Sequence, residues 1–520
     1  MAAYSVAQNP LAASSRTLLV LPFENVSAAP GLEWISEAFP EVLGERMASP
    51  SLYVIPREDR AVALDRAGIP ANIHLSRATL YRIAEQMDAD YVILGQFNFD
   101  GQSFTATAQL LDMKRLHLSP ELSEAGPLVK IIDVQTALAW DLLRLTNVGV
   151  SESRTDFLAA APAVRLDAFE NYVRGVTATE SAEKLRRFRE AVRLNPNYTL
   201  ALLQLGRTYY DEREYEEAAS WLERVPRGEP RAREASFYLG MAAYYLGDFA
   251  RAEDAFSFVA SRLPLTEVYN NLGVVAGRRG KRSEMEYFQK AVKDDPNDPD
   301  YRFNLAVALY KAGDAPAAAR QLREALSLRP GDSEAKSLLD TITSSALARV
   351  QEPRTMAAAK LPLERIKRNY NESSFQMLAL EIQNAAEMRL AGTDPRTHAA
   401  FHVERGRDLL SKEFYAEAEK DFREAILLDP TNAAAHAGLA RVLENSSDAA
   451  GARSEVNASL RLGPSADALL VLARLELKDN RPEAAAADVD RALSLEPANP
   501  AALALRNTVA ARLAEKPVKP

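Results

Sequence analysis

The sequence contains no cysteine. This excludes disulfides, thiol nucleophiles, zinc knuckles and cysteine-held iron–sulfur clusters, and leaves the redox compartment open. Histidine is scarce, with five in 520 residues, so an imidazole metal centre would need carboxylates to complete it. No apolar run approaches the roughly 18 residues of a membrane-spanning helix. Basic charge is not in excess. Sixty-three Lys and Arg stand against 72 Asp and Glu, a net charge of −9, the wrong balance for a generic nucleic-acid binder. What is present is ordinary for a folded chain. Hydrophobic residues make up 47% and charged residues 26%, which excludes a wholly disordered or collagenous protein. The length corresponds to several units of roughly 100–200 residues each.

Residues 1–15 are small and polar, with no basic start and no apolar core. Ala-rich sequence running into Gln8-Asn9-Pro10 reads as a leader or the remnant of a signal peptide. A processed leader places the protein in the periplasm or cell envelope; without one, the cytoplasm is the alternative.

An internal repeat organises most of the chain. Gly206 and Gly240 lie 34 residues apart, as do Pro230 and Pro264, Pro296 and Pro330, and Ala291 and Ala325. Phe288 and Leu322 sit three residues before those alanines, on the same helix face. This period and pattern resemble the tetratricopeptide repeat, a helix–turn–helix unit. Copies fall at Thr199–Val225, Arg233–Pro264, Thr266–Pro296 and Pro299–Pro330, preceded by a shortened copy at Asp167–Pro196. A second series runs through His398–Pro430, Thr431–Pro464 and Ser465–Pro497 to a closing helix at Ala501–Leu513. Gly or Ala at the helix crossing lets two backbones approach, while the bulky positions fill the groove beside them. Pro ends each second helix, and Asn195, Asn297, Asp332 and Asn432 suit the turn and the next N-cap.

Residues 16–150 differ in kind. Thr17–Leu21, Leu52–Ile55 and Tyr91–Leu94 are continuous apolar runs, expected as strands covered on both faces. Leu32–Met47 has helical spacing, and so do Leu80, Ile83, Ala84 and Met87. Asp100-Gly101 predicts a two-residue hairpin turn between Tyr91–Phe99 and Gln102–Leu111. Ile131, Val134, Leu138, Leu142 and Leu145 mark a last helix, giving the order β-α-β-α-β-β-α. Leu19-Val20-Leu21-Pro22-Phe23-Glu24-Asn25, Asp90-Tyr91-Val92-Ile93-Leu94-Gly95 and Ala106-Thr107-Ala108-Gln109-Leu110-Leu111-Asp112 resemble the amino-terminal domain of TolB-type envelope proteins. That resemblance implies a bacterial envelope setting.

The expected fold is therefore mixed: a small N-terminal α/β domain followed by an all-α tetratricopeptide solenoid in two arrays. Residues 151–166 are expected to be a linker and 167–345 the first array. Residues 346–396 are expected as linker and connecting helices, and 397–515 as the second array. Arg349–Lys360 reads as linker, and Leu361–Leu390 resumes helical spacing through Ile366, Tyr370, Phe375, Leu378 and Ile382.

Catalytic constellations are missing. Gly280-Lys281 is no phosphate loop, because Val275 and Arg282 stand where Gly and Ser or Thr are required. His398 and His402 have the four-residue spacing of helix-borne metal ligands but enclose no Glu. Asp294–Asp300 carries two prolines and breaks the EF-hand pattern, so it reads as an inter-repeat turn. Arg365-Ile366-Lys367-Arg368 reads as a solvated helix face. No enzyme, metal site or cofactor is expected.

Repeat arrays expose long curved surfaces, and the expected function is a non-enzymatic scaffold that binds peptides or proteins. The alternative is a sensory or regulatory module whose α/β head binds a small ligand. In the first array Tyr210, Phe237, Met241, Tyr244, Phe303 and Tyr310 are expected to face the groove, with Arg207, Asn270, Arg278 and Lys311 among them. Large flat side chains ringed by donors suit an extended or helical peptide. In the second array Arg407, Arg441 and Arg474 recur at 34 and 33 residues. Three guanidiniums on one wall suit an acidic segment or a free C-terminus. An internal ladder with Glu404, Glu444 and Glu476 is the competing reading.

Overall fold

Alternate residues of the first apolar run turn to opposite sides of a sheet, and both sides are covered. The computed structural model describes residues 16–27, 29–49, 52–66, 68, 76–146, 153–161, 163–348, 364–378, 394–412, 414–446 and 448–514. Residues 1–15, and with them the leader expected there, lie outside these.

The head carries β1 (Arg16–Val20), β2 (Glu24–Asn25), β3 (Leu52–Val54), β4 (Tyr91–Phe99), β5 (Phe104–Asp112), β6 (His117–Leu118) and β7 (Leu122–Gly126). The strands order as β3-β1-β4-β5-β6, with β2 beside β4 and β7 beside β5. β1 runs parallel to β3 and β4, while β4 and β5 are antiparallel. Leu18, Val20 and Ile93 face α1 (Ile35–Met47) and α4 (Ile131–Leu143). Leu19, Leu21 and Val92 face α2 (Arg57–Arg66) and α3 (Arg77–Gln86). Two-sided burial is the reason these strands read as unbroken apolar runs.

The hairpin differs from the expected two-residue turn. Phe99 pairs with Phe104, so four residues make the loop. The Asp100 carboxylate accepts the Gln102 and Ser103 amides at 2.9 and 2.8 Å, drawing both residues out of the strand. β2, β6, β7 and α2 add to the predicted order.

Head and first array share one core, which runs from Leu18 to Tyr301. Trp34 meets Phe169 edge-on at 5.7 Å, and the Tyr172 hydroxyl donates to Glu41 at 3.0 Å. Arg231 pairs with Glu45. Between head and repeats, α5 (Arg154–Ala159) buries Phe157 beneath the Arg46 guanidinium, 4.1 Å from the ring centroid.

The repeats pair α6 (Leu166–Thr177) with α7 (Ser181–Leu194), and α8 (Thr199–Asp211) with α9 (Tyr215–Leu222). α10 (Ala232–Tyr245) pairs with α11 (Phe249–Ala260), α12 (Thr266–Arg278) with α13 (Glu284–Asp294), and α14 (Pro299–Lys311) with α15 (Ala315–Leu328). α16 (Ser333–Ala348) follows. The crossing glycines act as their spacing implies. A Cβ on Gly206 would stand 2.5 Å from Leu222, and one on Gly240 2.8 Å from the Phe256 ring.

The chain divides into two compact units, 1–384 and 385–520. The second holds three further helix pairs, from Pro395–Ser411 to Pro482–Leu495, and a closing helix, Pro500–Ala514. There too Gly438 faces the Phe422 ring with no space for a Cβ.

One expectation fails in an informative way. Residues 364–371 form no helix; they run extended, and a short helix follows over 372–378. Ile382 and the remainder of the expected helical stretch lie outside the described residues.

Candidate functional site: the inner face of the first array

First helices of neighbouring repeats touch one another, as in α6 with α8, α8 with α10, and α12 with α14. Their shared side makes the inner face of the array. Residues 364–372 of the same chain lie along it.

The grip on this segment is through its backbone. Asn304 donates its Nδ2 to the Arg365 carbonyl and accepts the Arg365 amide, both at 2.7 Å. Asn271 repeats this on Lys367, both bonds at 2.8 Å. Asn270 adds a second donor to the Arg365 carbonyl at 2.9 Å and accepts from Asn304 at 2.7 Å. Asn271 and Asn304 lie 33 residues apart, each two residues before the small residue of its helix, Gly273 or Ala306. Residues 365 and 367 share one side of an extended chain, so the repeat spacing matches the two-residue period of the segment. All three asparagines are fully buried, and a buried amide without partners would be costly.

Charge then reads the side chains. Arg365 lays its guanidinium 3.7 Å from the Phe303 ring centroid and forks onto Asp332 at 2.6 and 2.8 Å. It also reaches Asp300 and Glu334, each at 3.0 Å. Lys367 donates to Asp298 at 2.7 Å and Asp300 at 2.8 Å. Burial alone would raise the Asp300 carboxyl, but hydrogen bonds from Arg329, Lys367 and Arg365 outweigh it and hold the group well below the usual carboxylate range. The Arg365 hydrogen bonds likewise hold Asp332 low. In the opposite sense, Glu364 is buried between Arg278, at 3.1 Å, and Lys311.

Farther along, Tyr370 packs on Phe237 with ring centroids 5.2 Å apart. The Asn371 amide donates to the buried Glu267 at 2.8 Å, whose carboxyl burial pushes up. Arg233 pairs with Glu372.

Five residues expected at the groove therefore touch the segment: Phe237, Asn270, Arg278, Phe303 and Lys311. Phe237, Met241 and Phe303 are also fully buried, so they build the wall as well as face it. Met241 sits behind the grip, its sulfur 3.5 Å from Asn271 Nδ2. Arg207 turns to Glu234 at 3.2 Å and to the Tyr238 ring. Tyr210 packs among Tyr215, Tyr238 and Tyr245, Tyr244 against Tyr245 and Phe249, and Tyr310 in the core formed by α14 to α16. The run Arg365–Arg368, expected as a solvated helix face, is instead the extended part of the segment. Asn271, Asn304, Glu267 and the acidic set Asp298, Asp300, Asp332 and Glu334 escape the sequence reading. The 33-residue recurrence of the asparagines is the signal that could find them.

In the second array Arg474 lies on the buried Glu444 at 2.7 Å, and Arg407 on Glu404 at 3.1 Å and Asp467 at 3.7 Å. Arg441 is exposed. His402 pairs its Nδ1 with Asp421 at 2.8 Å, and one repeat later His436 pairs with Glu455 at 2.6 Å. His402 is thus engaged within the helix pair. No helix among the described residues is long and apolar enough to cross a membrane.

Tetratricopeptide-repeat family models match residues 285–342 and, in a second form, 185–229, 403–467 and 445–502. Among curated proteins no sequence matches significantly. Solved structures similar to the chain include MamA 41-end from Desulfovibrio magneticus RS-1, 23% identical over 33% of this chain and 100% of that one, with a TM-score of 0.31. YrrB, described as a TPR protein with an unusual peptide-binding site, is 18% identical over 38% of this chain and 100% of that one, with a TM-score of 0.31. A tetratricopeptide repeat protein from Parabacteroides merdae is 12% identical over 59% of this chain and 97% of that one, with a TM-score of 0.24. With the paired helices and their crossing glycines already in view, the matched segments place tetratricopeptide repeats in both units of the chain.

Proposed function

We propose that the chain is a non-enzymatic scaffold that holds partner proteins by extended peptide segments, with the inner face of the first array as its principal site. One observation carries this reading: Asn271 and Asn304 hold the main-chain N–H and C=O of two residues, Lys367 and Arg365, spaced as in an extended chain. Amide side chains that bond to main-chain N–H and C=O accept any extended peptide, and the charges beside them select among sequences. Binding is also the ordinary use of repeat arrays, an argument by analogy of fold. Acidic partners, expected from the three arginines, fit the second array chiefly at the exposed Arg441.

Photo-crosslinking residues placed at the groove residue Arg278 and at Arg441 of the full chain test the scaffold in cells that produce it. Protein adducts at either position support it, and their absence at both rejects it. The head motifs Leu19–Asn25 and Asp90–Gly95 extend the proposal to a bacterial cell envelope. Cell fractionation tests that part, and a wholly cytoplasmic distribution would reject it.

A further inference from the structure

We propose that residues 364–372 are a built-in competitor for the first groove, and that the groove takes an external peptide of the same chemistry. The peptide is extended, with a carboxylate followed directly by Arg, Lys two residues after that Arg, and an aromatic three residues farther on. This rests on reading the chain as a peptide-binding scaffold, and it names the class of peptide and the means by which access is controlled.

The ligand class follows from the electrostatics of the groove. Two sets of opposite sign line it, the basic one at the C-terminal ends of α12 and α14 and the acidic one at the starts of α14 and α16. Arg278 and Lys311 enclose the Glu364 carboxylate, while Asp298, Asp300, Asp332 and Glu334 converge on Arg365 and Lys367. The asparagines fix the register at every second residue, and the Phe303 face beneath Arg365 favours a planar guanidinium over an ammonium.

Competition follows from how the segment is held. Its attachments are hydrogen bonds from side chains to backbone and ion pairs, with Arg368, Asn369 and Asn371 exposed. Its apolar contribution is confined to half-buried side chains such as Ile366, Tyr370 and Phe375. Each contact is one that a free peptide of this sequence reproduces. The advantage of the segment is its tether, which acts as an effective concentration on the order of millimolar. A partner overcomes this by binding more tightly or by adding contacts elsewhere.

The experiment uses a fluorescent synthetic peptide with the sequence Glu364–Gln376 and the full-length chain. R365E/K367E in the chain repels the tethered segment from the acidic set and leaves every groove residue in place. Fluorescence polarisation is expected to show the peptide binding at least about tenfold more tightly to this variant than to the wild type. That gain should vanish when N271A/N304A is added or when the peptide is scrambled. In the wild type, saturating peptide should speed hydrogen exchange at the Lys367 amide. Equal affinity of wild type and a folded R365E/K367E chain, equal binding of the scrambled peptide, or exchange unmoved by saturating peptide would each overturn the proposal. An R365E/K367E chain that fails to fold would show the segment to be a structural strut, and would overturn it too. Protein adducts at Arg441 alongside a groove that never takes peptide would remove this inference and the first array as the principal site, and leave a scaffold that works through the second array.

Discussion

Asn304 holds both the amide nitrogen and the carbonyl oxygen of Arg365, each at 2.7 Å, although the two residues are 61 apart in sequence. A side-chain amide thereby pairs with both main-chain groups of one residue, as the facing residue of an antiparallel strand would. Asn304→Ala leaves the Arg365 amide without its acceptor, while Asn270 still serves the carbonyl. Asn271→Ala deprives Lys367 of both. With an unsatisfied buried polar group costing about 1–3 kcal/mol, the Lys367 amide should exchange roughly 5–150 times faster in Asn271→Ala. Mass-spectrometric hydrogen exchange reads this directly, and unchanged protection would refute the assignment.

Acid should loosen the segment. Asp300 faces Arg329, Arg365, Lys367 and the neighbouring Asp298, and Asp332 faces Arg365 and Arg329. Both carboxyls are depressed in the docked state, so their contribution is present above the ordinary Asp value of 3.8 and is lost as pH falls through the depressed values. Glu267 works in the opposite direction, because burial raises it and protonation relieves that penalty. Protection of the Arg365 amide, measured in steps below pH 4 and corrected for intrinsic exchange, is expected to fall by about tenfold per unit at most for each group. Asp300→Asn should flatten the profile.

Adding one methyl group should separate packing glycines from turn glycines. A Cβ on Gly95 would lie 2.4 Å from both the Phe23 ring and the Thr107 carbonyl oxygen, and the backbone oxygen has little room to yield. Gly95→Ala should cost about 1–3 kcal/mol, the range for overpacked cores. Gly101 has open space around it, but its φ of +98° strains any L side chain, so Gly101→Ala should cost about 1 kcal/mol. Urea denaturation of the full chain measures both, and a Gly95→Ala midpoint no lower than that of the wild type would contradict the close approach at Gly95.

Arg474→Ala strips the buried Glu444 of its two-pronged partner and leaves Lys478 at 3.7 Å. A loss of about 1–3 kcal/mol is expected. Arg441→Ala should change stability by no more than about 0.5 kcal/mol, as at other exposed positions. Thermal melts of the two variants therefore part company, and any role of Arg441 should appear in binding alone.

The repeat was legible because 34-residue recurrences of Gly and Pro report a steric need, close helix crossing and helix termination, that any copy must meet. The head's layers were legible from apolar runs such as Leu18–Leu21. The groove was legible only as a surface. Phe237 and Phe303 drew notice for their size, yet size alone does not separate a wall that is buried from one that is open. The acids that read Arg365 and Lys367 were hidden because Asp298 and Asp332 also cap helices, and capping accounts for an Asp in a turn without calling on a ligand. The segment itself was misread because Ile366, Tyr370 and Phe375 fit helical spacing. Tertiary hydrogen bonds from Asn271 and Asn304 pull that stretch straight, and no local pattern encodes them.

The core shared by head and repeats has a consequence for synthesis. Repeats touch only their neighbours and close over short sequence distances, whereas Tyr172 meets Glu41 across 131 residues and Arg231 meets Glu45 across 186. The head leaves the ribosome first, but its α1 face stays uncovered until α6 and then the start of α10 have been made. At about 5–20 residues per second that interval is roughly 10–40 s for the Arg231 contact. Trp34 waits for Phe169 of α6, roughly 7–27 s at the same rate, and for that time its outer edge is a natural handle for a holding chaperone.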